Sequence, residues 1–123
     1  MTLLAIAAAG ALGAVARYGV GVLAGPSGWP WPTLAINVAG SFLAGLLVEY
    51  GAVRLPATLA TAVTVGFLGA FTTYSAFSVQ TVALLRAGRG GAALGYVLLT
   101  LVLGLAAAAA GVRLAQLALG GGR

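Results

Sequence analysis

The sequence predicts an all-α integral membrane protein of four transmembrane helices, with a break in the third. Composition and block pattern predict the four spans, and the polar middle of the third suggests the break: of 123 residues 62% are hydrophobic and 6% charged, and the apolar residues fall into four long blocks. Short loops rich in glycine and proline part the blocks. A soluble domain carries about 25% charged residues, so this chain cannot cover a folded surface with polar side chains. A helical span takes about 20 apolar residues. Four spans fill most of the chain, so residues 1–123 are read as one transmembrane domain with no soluble domain beside it.

The first span is expected over about 3–24 and stops at Gly25-Pro26-Ser27-Gly28. The N-terminus lacks the basic start of a signal peptide and reads as a retained helix. Trp29-Pro30-Trp31-Pro32 suits a headgroup-level turn, because indole is amphipathic and proline stiffens the loop. The second span, about 33–50, closes at Glu49 and Tyr50, with Arg54 and Pro56 in the next loop. The third segment, about 57–85, is too long for a plain span and has its most polar stretch, Thr72-Thr73-Tyr74-Ser75, in the middle. After the loop Arg86-Ala87-Gly88-Arg89-Gly90-Gly91 the fourth span covers about 92–113, followed by a flexible GGGR tail.

Composition excludes several chemistries. Without cysteine or histidine there is no thiolate or imidazole metal site and no disulfide frame. One acid, Glu49, excludes a paired-carboxylate mechanism within one chain. No enzyme activity is expected. The net charge of +5 comes from scattered arginines, which form no nucleic-acid patch and suit a lipid bilayer. Arg54, Arg113 and Arg123 fall on one side of the membrane and Arg17, Arg86 and Arg89 on the other. So even a count gives little instruction for insertion. Either minor cues decide, or both orientations occur and the protein works as an antiparallel pair. The spacings Gly21–Gly25 and Ser41–Gly45 suit close helix association in lipid.

Polar residues inside spans are expensive in hydrocarbon and tend to face a cavity or another helix. Thr33, Asn37 and Ser41 recur every four residues and form one stripe. It is either interhelical glue or a row of donors, with Asn37 offering two N–H groups from a neutral side chain. Tyr96, Thr100 and Gly104 repeat the spacing in the fourth span. The stretch from Gly66 to Ser78 is either a continuous helix with back-bonded threonines or an interrupted one. Interruption at membrane depth is tolerated only beside protein or a wet cavity, and freed carbonyls are natural ligands for a hard cation. Phe71, Tyr74 and Phe77 lie three apart, and ring edges are electropositive. Arg17, about two turns from the end of its helix, either snorkels to the headgroups or draws anions to a vestibule.

These motifs together resemble the CrcB/Fluc family of small bacterial fluoride channels over nearly the whole chain. Gly10 to Tyr18 looks like the first-helix signature, and Thr33 through Asn37 to Gly45 is similar to the second. Gly66 to Phe77 resembles the central G-x-x-G-x-x-T-T-F-S-T-F block, and Tyr96 with Thr100 matches the fourth-helix pair. The resemblance implies a passive fluoride-exporting channel of the bacterial inner membrane, built as an antiparallel dual-topology homodimer. It implies a structural Na⁺ at the dimer centre on main-chain oxygens of Gly69 and Thr72. The implied fluoride pathway takes in Asn37, Tyr74 and Phe77, the Tyr96–Thr100 ladder, and the Thr33 and Ser41 stripe. Tyr74 replaces the usual phenylalanine, Ala76 a common threonine, and Gln80 a frequent acid, with no role assigned to Gln80. Two rivals are a small multidrug-type transporter, which needs a carboxylate that the first helix lacks, and a non-transporting assembly subunit.

Overall fold

A computed structural model describes residues 1–120, and among these every regular element is helical. Arg123 and most of the expected GGGR tail lie outside the described residues. Helix α1 is Thr2–Ala24, α2 is Trp31–Arg54, α3 covers residues 57–71, α4 is Tyr74–Arg86 and α5 is Gly90–Ala118. Helices α3 and α4 are halves of the third span, so four segments are long and apolar enough to cross a membrane.

The ends follow local chemistry. Helix α1 stops at Gly25, whose φ of 67° is open to glycine and strained for other residues. Helix α2 starts earlier than its apolar block, since Pro32 falls in the first turn, where no N–H is needed. It also runs past Glu49 and Tyr50 to Arg54. There Leu55, held extended by Pro56, ends it. Residues Ala62–Leu68 form a widened π-helical turn inside α3, which the sequence pattern did not suggest.

Glycines set the packing. Helices α2 and α5 run side by side in the same direction. A Cβ on Gly45 would strike the Ala108 carbonyl, and one on Gly111 the Phe42 carbonyl. On the other side α1 presses on the π turn. A side chain on Gly13 would strike the Phe67 carbonyl, and one on Gly66 would come within 2.6 Å of the Ile6 carbonyl. The expected glycine pair at Gly21 and Gly25 makes no such contact among the described residues. Leu34, Leu84, Ala93 and Tyr96 form the small apolar core, with Tyr96 wholly buried.

Candidate functional site at the helix break

The third span is interrupted at Thr72 and Thr73, both in extended conformation. Asn37 on α2 clamps the break from both sides. Its Oδ1 accepts the Thr73 N–H at 2.8 Å and its Nδ2 donates to the Thr73 carbonyl at 3.0 Å. A backbone N–H can only donate, so this pairing fixes which way the amide faces. One of the two Asn37 N–H groups remains.

The clamp changes the backbone ladder. In an uninterrupted helix the Thr73 N–H would bond the Gly69 carbonyl and the Ala76 N–H the Thr72 carbonyl. Here the first goes to Asn37, and the second goes to the Thr73 hydroxyl at 3.1 Å, which caps α4. Among the described residues no donor replaces them, so the Gly69 and Thr72 carbonyls are released. Released main-chain oxygens are the donor type that hard cations take.

Beside the break lies a cavity of about 510 Å³, walled by Asn37, Ser41, Gly69, Thr72, Tyr74, Phe77 and Thr100 among others. None of its walls is charged. It opens on the outer face of the bundle next to Tyr74, which is 80% exposed. The Thr100 hydroxyl is buried and has no hydrogen-bond partner among the described residues.

The expected residues divide. Asn37, Ser41, Tyr74, Phe77 and Thr100 come together with Gly69 and Thr72 at this cavity. Thr33 does not line it; it is buried beside the Tyr96 hydroxyl. Tyr96 is sealed off as well. Its ring packs between Phe77 and Trp29, each 5.2 Å away between centroids. Phe71 leaves the Tyr74–Phe77 row and stacks on Phe67 at 5.6 Å, because helical spacing does not carry across an extended break. Arg17 is half-buried on α1, outside the cavity walls.

Two residues with no assigned role take one. Thr73 both caps α4 and receives Asn37, and a hydroxyl residue just before an apolar helical run was the available signal. Gln80 accepts the Tyr96 O–H at 2.8 Å. No sequence signal joins those two, which meet only when α4 packs on α5.

Four apolar helices long enough to cross a membrane, one of them broken at its middle beside an uncharged cavity, define a multi-pass membrane protein. A family model described as CrcB-like protein, Camphor Resistance (CrcB), matches residues 4–112. The chain is 51% identical over 115 residues to "Fluoride-specific ion channel FluC 2" of Symbiobacterium thermophilum, covering 89% of this chain and 94% of that one. It is 47% identical over 117 residues to "Fluoride-specific ion channel FluC" of Agrobacterium fabrum, covering 90% and 93% of the two chains. The protein of that name from Thermus thermophilus is also 47% identical, with 90% and 92% covered. The chain belongs to the CrcB family.

Proposed function

We propose that this protein is a passive, fluoride-selective channel of the bacterial inner membrane that lets fluoride leave the cytoplasm. One observation carries the reading: the spare Asn37 N–H and the unpartnered Thr100 hydroxyl sit at one uncharged cavity. Fluoride is small and strongly hydrated, so a path through lipid must replace its water with close donors. Neutral amides, hydroxyls and ring edges do this and still release the ion, whereas a full positive charge would hold it. Tyr74 and Phe77, 5.9 Å apart between centroids, supply ring edges beside those donors. Proton-coupled export would need a carboxylate in the path, and Glu49, the one acidic residue of the sequence, is not among the cavity walls. A non-transporting assembly subunit would have no use for unpaired donors.

The working form is an antiparallel homodimer of single four-helix transmembrane domains, inserted in both orientations. Supporting this, the cavity opens sideways, where a lone chain would present the spare Asn37 N–H to hydrocarbon, which is costly. A second copy against that face closes the path. A structural Na⁺ belongs to the same reading. The released carbonyls of Gly69 and Thr72 fit it, being neutral oxygens held by the Asn37 clamp. Bound there, the ion would supply fixed positive charge at the core of the assembly.

Fluoride release from liposomes, read with an ion-selective electrode beside a chloride control, tests the function. Rapid fluoride loss with chloride retained is expected. Release no faster than from protein-free liposomes would refute it.

A further inference from the structure

A second crevice lies on the far side of the Phe77–Tyr96 ring pair, where the α1–α2 and α4–α5 loops meet. Its volume is about 390 Å³, and its walls include Ser27, Trp29, Pro30, Gln80 and Arg89. The two loops are tied across it. The Arg89 guanidinium donates to the Gly28 carbonyl, and the Trp29 indole N–H donates to the Ala92 carbonyl at 3.2 Å.

The chemistry of these walls points one way. Gln80 gives its Oε1 to the Tyr96 hydroxyl, so its two amide N–H groups are left without a protein acceptor among the described residues. That bond also commits the Tyr96 proton to Gln80, so Tyr96 orients the amide and does not itself donate into the crevice. Arg89 is the one charged wall, and only part of its donor fork is used on Gly28. The chain's single acid, Glu49, stands near the opposite end of α2, about 27 Å along the helix axis at 1.5 Å per residue. No carboxylate therefore competes for these donors within the chain.

We propose that this crevice collects halide anions: Arg89 supplies the charge and Gln80 the directional donors, at the mouth leading toward Phe77. Clefts of one sign of charge raise the local concentration of their counter-ions. An arginine suits a mouth, where it is exposed and wet, and would trap the ion deeper in. The role in permeation rests on the fluoride-channel reading. The binding of anions does not.

The tryptophans offer a readout independent of conduction. The chain has two, and Trp31→Phe leaves Trp29, in the crevice wall, as the one reporter. In detergent at about 0.1 M ionic strength, where screening extends about 10 Å, iodide should quench Trp29 strongly relative to neutral acrylamide. Arg89→Gln should lower the iodide-to-acrylamide quenching ratio about twofold or more. Arg89→Lys should restore it. A purely structural role for Arg89 would open the loops and raise quenching by both agents together. An unchanged ratio in Arg89→Gln overturns the site, whatever the flux. In liposomes Arg89→Gln and Gln80→Leu should slow fluoride release at low fluoride and approach wild type at high fluoride. If the ratio falls but wild type passes no fluoride, the anion site stands and the channel reading fails.

Discussion

A threonine in a transmembrane helix usually bonds its hydroxyl to the carbonyl one turn back. Thr61, Thr64, Thr72 and Thr81 do so here at 2.8–2.9 Å. Thr100 does not: its residue forms part of the cavity wall, and its oxygen is buried without a partner among the described residues. A buried polar group without a partner costs about 1–3 kcal/mol. Thr100→Val keeps the shape and removes that cost, so its thermal midpoint in detergent should equal or exceed that of wild type. Its fluoride flux should nevertheless fall about tenfold, the worth of a hydrogen bond to a charged group at the lower end of its range. A large drop in midpoint, or full flux, would remove Thr100 from the path. The stripe and ladder spacings named Asn37, Ser41 and Thr100 from sequence alone. They also named Thr33 and Tyr96, which the fold buries away from the cavity, since a face shared along a helix does not say what covers each turn.

At the scale of elements, the third span is a helix stopped and restarted by side chains. Thr73 caps the second half, and Thr73→Ala should lower stability by about 1 kcal/mol. Gly111 fixes how near α5 comes to α2. Gly111→Ala would place a Cβ 2.8 Å from the Leu46 N atom and closer still to the Phe42 carbonyl oxygen. Overpacking of this kind costs about 1–3 kcal/mol. Thermal unfolding in detergent checks both, and a wild-type midpoint in either would contradict the assigned contact. The break was legible because hydroxyls and glycines crowd the middle of an overlong apolar segment. The π turn at Ala62–Leu68 was not, since it answers the approach of α1 at Gly10 and Gly13, a contact between segments distant in sequence.

For the whole molecule, membrane residence and helix number followed from charge and apolar length alone. The sideways cavity did not, because it depends on how α2, α3, α4 and α5 meet. The proposed pairing in opposite orientations is open to a labelling test. The chain has no cysteine, so Ser27→Cys introduces a unique thiol. An impermeant maleimide on intact cells should label about half of it if both orientations occur. Complete labelling or none would contradict dual topology. If Na⁺ rests on the Gly69 and Thr72 carbonyls, replacing sodium by potassium should lower the thermal midpoint by a few degrees. Identical midpoints would contradict the sodium site.

The most direct test of the central claim is fluoride release from liposomes carrying Asn37→Asp beside wild type, with chloride monitored in parallel. Aspartate keeps an acceptor for the Thr73 N–H, loses both amide donors and turns a negative charge toward the anion path. Wild type should empty its fluoride and keep its chloride, while Asn37→Asp, still folded, should hold fluoride nearly as well as protein-free liposomes. Release from Asn37→Asp as fast as from wild type would contradict the role of the Asn37 amide in passing fluoride.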